Sequence, residues 1–534
     1  MTVAAAAARK LRGGYYTPPP IAEFLARWAV RAPGDRVLEP SCGDGEILFA
    51  AKNRLSAVGG GKLIGVEFDA AEARKARARV GRSATIHVSD FFRLAEKKAA
   101  SWQFDAVIGN PPFIRYQFFP EEHREPAFRI MADQGLKPNR LTNAWVPFVA
   151  ASTRMLAPGG RLGFVIPAEL MQVSYAAQLR AYLAAQFAEI RLITFRKLLF
   201  EGVQQEVVLV LAEGARNGPA AIQLVELDDA FDLASFDVRP AALATADMDH
   251  ATEKWTQYYL TPSELELVRS LRDRLDLPRL GDVAEVDVGV VTGRNEFFVL
   301  EPSSVRRHGL EAHTQKLVGR SAQLRGIMFS EADWEGLASA DARCLLLTLE
   351  DAPAHTLSKA ARRYISLGEA EGHHMGYKCR TRQNWHRVPS VWSPDAFLYR
   401  QIHDAPRLVV NHSGATSTDT IHRVRMRNGL DPADLSGSLF NSLTFAFSEL
   451  YGRSYGGGVL ELEPTEAELL PVPIATTLDV RELDRLVRAG RPTDALDLTD
   501  SALLHGTLGL DHQDVAHLRT IWMKLRDRRL GRKK

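Results

Sequence analysis

The sequence predicts an α/β fold with a mainly parallel sheet over its first 214 residues, followed by a mixed α+β region. Three observations carry that prediction. Short apolar, β-branched runs alternate with helical patterns up to residue 214, as strand–helix–strand units require. A Gly/Pro/Ala-rich stretch, 214–221, then breaks the pattern and reads as a boundary. Beyond it come short strands, many turns, and long helices only near the end. The 534 residues also exceed one ordinary domain of about 100–200. Two domains are expected, 1–214 and 222–534.

In chain order, residues 36–38, 63–67, 85–88, 104–109 and 161–166 read as five strands. Residues 46–55 and 70–80 between them read as helices, the second solvated by Arg74, Lys75, Arg77 and Arg79. Residues 190–194 and 206–211 are two further apolar runs, expected to pair antiparallel and close the sheet. In the second region, 286–291 and 296–300 flank a Thr-Gly-Arg-Asn turn, and 407–411 and 420–426 are strand-like. Residues 480–488 and 514–529 read as helices, the last strongly basic.

Composition narrows the class. Hydrophobic residues make up 46% and charged ones 25%, which excludes a largely disordered or fibrous chain. Cys42, Cys344 and Cys379 are too few for a disulfide scaffold and suit a reducing compartment. Ala4 to Ala8 precede Arg9, Lys10 and Arg12, the reverse of a secretory signal. No run approaches the roughly 20 apolar residues of a membrane span. A cytoplasmic location, with no membrane partner, is the expectation. The net charge is only +2, but Lys and Arg outnumber Asp and Glu by eight over 1–214 and by six over 520–534. Inside the acidic remainder sits a basic island, 378–427, with nine cations against three acids. Such an uneven distribution suits a polyanionic partner.

Asn110-Pro111-Pro112-Phe113 directly follows the fourth strand. Two prolines rigidify the turn and remove backbone donors, leaving carbonyls to accept. Asn110 adds a side-chain acceptor and Phe113 an aromatic face, which together suit a planar heterocycle carrying an amino group. Upstream, Glu39-Pro40-Ser41-Cys42-Gly43-Asp44-Gly45 ends the first strand. Its glycines let a ligand approach the backbone at the carboxyl end of the sheet. It lacks the third glycine of a dinucleotide fingerprint and the Gly-Lys-Ser/Thr of a phosphate loop. Glu67 ends the second strand, and Asp90 follows the third with Phe91 and Phe92 beside it. Three acids at three consecutive strand ends, then Asn-Pro-Pro-Phe at the fourth, form one constellation.

On these residues the chain resembles the S-adenosylmethionine-dependent N6-adenine DNA methyltransferases of restriction–modification type, with the gamma order of motifs. The resemblance implies a class I, Rossmann-like catalytic domain followed by a target-recognition domain, with duplex DNA between them. Gly14-Tyr15-Tyr16-Thr17-Pro18-Pro19 looks like the family's N-terminal cofactor motif. The resemblance assigns S-adenosylmethionine contacts to Thr17, Glu39, Ser41, Cys42, Gly43, Gly45, Glu67, Phe68, Asp90, Phe91 and Asn110. Within that set Glu67 would hold the ribose, and Asp90 the adenine amino group with Phe91 against the ring. Asn110, Pro111, Pro112 and Phe113 match the catalytic tetrapeptide. Phe200 matches the aromatic that covers the other face of a flipped base, although 201–205 can be aligned in more than one way.

Arg294, Lys378, Arg380, Arg382, Arg387, Arg423 and Arg425 are the expected DNA contacts. They are joined in the island by Arg400, Arg407 and Arg427 and interleaved with Tyr377, Trp385 and Trp392. His373, His374, Cys379 and His386 match no standard zinc spacing, so no metal is expected. The sequence predicts a monomeric modification enzyme, with any cognate restriction endonuclease on a separate chain. An RNA base methyltransferase and a catalytically silent DNA-binding module are the alternatives.

Overall fold

The β-branched runs of the first region form a sheet in the computed structural model, which describes residues 16–98, 101–200, 205–215, 218–236, 248–274, 276–455 and 457–531. The elements are α1 (Pro19–Ala29), β1 (Arg36–Glu39), α2 (Glu46–Ala57), β2 (Lys62–Glu67), α3 (Ala70–Val80), β3 (Thr85–Val88), α4 (Phe91–Lys98) and β4 (Phe104–Gly109). There follow α5 (Glu121–Asp133), α6 (Trp145–Arg154), β5 (Leu156–Pro167), α7 (Ala177–Gln186), β6 (Phe187–Phe195), β7 (Val207–Ala215) and β8 (Ala221–Leu227). One eight-stranded sheet runs in the order β3-β2-β1-β4-β5-β7-β6-β8.

Strands β1 to β5 are parallel, so their carboxyl ends share one edge. The chain leaves β1 towards β3 and returns beyond it at β4, which makes the β1/β4 gap the switch point where such sheets bind ligands. Strand β7 lies antiparallel between β5 and β6. The expected antiparallel pair is therefore present, but its second strand is inserted into the sheet instead of closing its edge. Strand β8 takes the edge, parallel to β6.

Local chemistry fixes the helices. α1 starts with proline in its first turn and buries Ile21, Ala22, Phe24, Leu25 and Trp28 on one face. Asp69 caps α3 by accepting from the Ala71 and Glu72 amides. Gly45, at φ +86°, starts α2, and a Cβ there would stand 2.9 Å from Ala76 of α3. Glycine is required twice over, by conformation and by space.

The first compact unit runs from Met1 to Pro262, with short pieces near the C-terminus, and the second covers most of 263–529. The expected boundary at 214–221 instead joins β7 to β8 within the sheet. The Gly and Pro signals there mark a strand connection, and the domain ends about forty residues later.

The second unit is mixed α+β, as expected. It contains a five-stranded, a four-stranded and a three-stranded sheet with helices at its end. Helix Val480–Arg488 matches its predicted span, and the basic segment is helix His512–Leu530. The expected strand 296–300 begins instead as a helical turn, Asn295–Phe298. There the Thr292 hydroxyl accepts from the Arg294 amide at 3.2 Å, a local bond that competes with strand formation. Among the described residues no helix is long and apolar enough to cross a membrane.

Candidate active site

The strand order sets Asp90, Glu67, Glu39 and Asn110 along one edge of the sheet, at the ends of β3, β2, β1 and β4. The loop after β1 is built around glycine. Gly43 adopts φ +51°, and a Cβ there would meet nothing within 4 Å, so the backbone at that point faces open space. The Gly43 amide donates to Glu67 Oε2 and the Asp69 amide to Glu67 Oε1, both at 2.8 Å. Glu67 thus ties the glycine loop to the turn after β2. Burial pushes its carboxyl above the usual value, while those two amides pull it down.

Glu39 is 2% exposed. Its carboxyl is pushed well above the usual range, first by burial and then by the negative charge of Glu67. Among the described residues Glu39 Oε2 has no hydrogen-bond partner. A buried carboxylate oxygen left without a donor fits a cationic or hydroxyl-bearing ligand in the loop. Cys42 is buried, its amide bonded to the Val66 carbonyl, and its thiol is pushed up by burial and by Glu39. It is therefore a packing residue.

Across the switch point, Asn110 Nδ2 donates to Thr17 Oγ1 at 3.2 Å, and the Ser41 hydroxyl to the Asn110 carbonyl at 3.3 Å. Thr17 is itself buried, so the segment before α1 orients the Asn110 amide. Gly14 and Tyr15 of the same motif lie outside the described residues. Phe113 packs against the apolar cluster that contains Phe200, Phe195 and Val207. Phe200 is a buried member of that cluster, 7% exposed; 201–204 lie outside the described residues.

At the other end, Asp90 Oδ1 accepts from the Phe92 and Arg93 amides and so caps α4, while Oδ2 pairs with His123 Nδ1 at 2.5 Å. His123, from α5, was not singled out by sequence; a lone histidine gives no spacing signal. Its ring also meets Phe68 edge-on at 4.7 Å. Phe68 is 64% exposed, and with Asp90, Leu94, Glu122 and His123 it lines an open pocket of about 450 Å³. Phe91 is corrected in its setting: it is 4% exposed and stacks on Phe148 of α6 at 5.2 Å and 11°. The open aromatic face at this end belongs to Phe68.

The expected DNA contacts divide sharply. Arg423 is 2% exposed and donates to Asp287, to the Val288 carbonyl and to the Ser390 carbonyl. It lies in a strand that pairs on both sides, so it braces the sheet and is removed from the contact set. Arg425 lies over Trp392 at 4.4 Å. Arg387 pairs with Asp351, and Arg382 donates to the Val291 carbonyl at 2.8 Å. Arg400 pairs with Glu461 and Glu463, and Arg407 lies over Tyr399. Arg294, Lys378 and Arg380 are exposed, and no carboxylate among the described residues pairs with them.

Residues 1–267, half of the chain, match the family model of the N-6 DNA methylases. The chain belongs to that family. The methylase is thus an adenine-N6 DNA methyltransferase, and its class I sheet is the one the family resemblance implied. Residues 252–504 match the C-terminal domain of the type II methyltransferase M.Eco57I, which agrees with the boundary near 262. Over 480 residues the methylase is 24% identical to the type II methyltransferase M.XamI of Xanthomonas campestris pv. amaranthicola, covering 86% of this chain and 85% of that one. It is 30% identical over 187 residues to M.TthHB8I of Thermus thermophilus, covering 33% and 39%. The type IIL restriction–modification enzyme MmeI, solved in complex with DNA, shares the fold at a TM-score of 0.58 and 10% identity. That match covers 95% of this chain and 75% of MmeI.

Proposed function

We propose that the methylase is the modification enzyme of a restriction–modification system. It methylates N6 of an adenine swung out of duplex DNA at a specific sequence, using S-adenosylmethionine. The observation that carries this reading is the row Asp90, Glu67, Glu39, Asn110 on one sheet edge, with Asn110 bonded to Thr17. The type II names of its relatives support the biological setting.

The cofactor, when bound, supplies an electrophilic methyl group on a sulfonium. Glu39 and the open backbone at Gly43 hold its methionine end, framed by Ser41, Cys42, Gly45 and Thr17. Glu67 takes the ribose hydroxyls. Asp90 would take the adenine amino group, and the exposed Phe68 would offer the aromatic face, with Phe91 packed in the core beneath. On the substrate side, Asn110 Oδ1 and the Pro111 carbonyl accept the two hydrogens of the target amino group. That draws the nitrogen lone pair out of ring conjugation and aims it, by positioning and fixed dipoles alone. Extruding the base costs a few kcal/mol, and stacking on Phe113 and Phe200 returns about 1–3 kcal/mol per base. The second unit serves target recognition, with Arg294, Lys378 and Arg380 on phosphates.

Nucleoside mass spectrometry of plasmid DNA incubated with the methylase and S-adenosylmethionine tests this. N6-methyladenine at one recurring sequence is the expected product. Cofactor binding without any methylated DNA base would sink it.

A further inference from the structure

Residues 372–380 combine a rigid base with an exposed apolar tip. Met375 is 60% exposed and Tyr377 71%, on either side of Gly376. Their backbone is pinned: the Met375 amide donates to the Gly372 carbonyl, the Gly376 amide to His373 and the Arg380 amide to Gly376. Beneath them Cys379 is fully buried in the cluster that holds Phe297, Phe298 and Tyr364. Three cations surround the tip. A Cβ on Gly376 would stand 2.9 Å from Arg294 Nε, so the Arg294 side chain crosses the backbone between the two apolar residues. A Cβ on Gly293 would stand 2.8 Å from Lys378 Cβ, which packs the 292–295 turn against the same segment. Arg380 follows one turn later. Glu371, the nearby acid, faces His373 at 3.1 Å instead.

Single exposed apolar side chains need no explanation. Two together on a pinned turn, ringed by cations that no described carboxylate neutralises, suit a partner that is polyanionic outside and apolar within. Duplex DNA has that chemistry: phosphates for Arg294, Lys378 and Arg380, and base faces for a thioether and a phenol ring. We propose that Met375 and Tyr377 form a wedge that enters the base stack and opens one step of the duplex. This rests on the DNA-methylating function proposed above.

The test uses the full chain and short duplexes carrying the methylated sequence, each with 2-aminopurine at one position. Beside the rise at the extruded target adenine, wild-type fluorescence rises at one further step, where the wedge enters. Met375→Ala with Tyr377→Ala removes that rise and raises the DNA Kd about tenfold, with the salt dependence of binding unchanged because no charge is lost. Lys378→Ala with Arg380→Ala instead lowers the log–log salt slope by about 2 and keeps the fluorescence rise at high protein concentration. Circular dichroism spectra and a melting midpoint of the second unit that match wild type show that each variant is folded. Wild-type Kd and fluorescence in the Met375/Tyr377 variant would overturn the wedge while leaving the methylase function intact. A wild-type protein that binds cofactor but no DNA would overturn both.

Discussion

At Asn110 and Glu39, single atoms decide what the site can do. Asn110 donates its Nδ2 to Thr17, which orients the amide that, in the proposed function, accepts from the target amino group. Asn110→Ala should therefore lower kcat by about 10²–10³ while the S-adenosylmethionine Kd stays within a fewfold. Steady-state kinetics with a calorimetric titration would check it, and near-normal turnover would contradict the assignment. Glu39 carries a different consequence. Its folded-state carboxyl titrates well above its ordinary value of 4.5 because it is buried. The unfolded chain therefore ionises first, so stability is intact below about pH 4 and falls as pH rises above it. Glu39→Gln should remove that loss, raising the melting temperature at pH 7 by about 2–4 °C per kcal/mol relieved, with the gap closing towards pH 4. The same variant should bind cofactor more weakly, the usual exchange of stability for function at a site. Melting curves of Glu39→Gln identical to wild type at both pH values would contradict a raised Glu39 carboxyl.

At the scale of elements, the cap of one helix is held by another. Asp90 caps α4 and is gripped by His123 of α5, the helix that follows the Asn-Pro-Pro-Phe loop. His123→Ala should raise the S-adenosylmethionine Kd about fivefold, in line with loss of one ordinary hydrogen bond, with kcat at saturation little changed. His123→Asn, whose amide can replace Nδ1, should restore most of the affinity. Equal Kd values in all three proteins would leave His123 a packing residue. The five parallel strands, the glycine loop and the Asn-Pro-Pro-Phe turn were legible in sequence because each is set by residues close together in the chain. The one-turn helix Asn295–Phe298 was not: an apolar run reads as strand until the Thr292 hydroxyl is seen to hold the Arg294 amide in the turn before it. Phe91 was legible as an aromatic beside Asp90, but its burial depends on Phe148, fifty-seven positions away.

For the whole molecule, the last helix shows how charge is distributed. It reads as a basic tail, yet Arg519 pairs with Asp497 and Asp500, Lys524 with Glu264, and Arg526 with Asp404. Arg529 is 1% exposed and is held by Glu449 and by the His403 and Gly458 carbonyls. Burial pushes the Glu449 carboxyl up, and Arg529 pulls it back. Removing one partner of such a pair strands the other charge, so Arg529→Ala should cost about 3–5 kcal/mol, read as a lower denaturant midpoint of the second unit. A loss under about 1 kcal/mol would mean that the pair is hydrated. The helix is thus a brace of the second unit.

By itself the sequence determined the class of sheet, which residues stand along its carboxyl edge and the family, since strand periodicity, glycine turns and a proline-locked asparagine act over a few residues. It could not determine which cations are free. Arg423 and Arg380 look alike in the chain, yet one is locked between Asp287 and two carbonyls and the other stands exposed. Only the tertiary structure decided that, along with the insertion of β7, the extent of the first unit and the grip of His123 on Asp90. Each depends on groups that meet only after the chain has folded, and a charge in a sequence carries no mark of its partner.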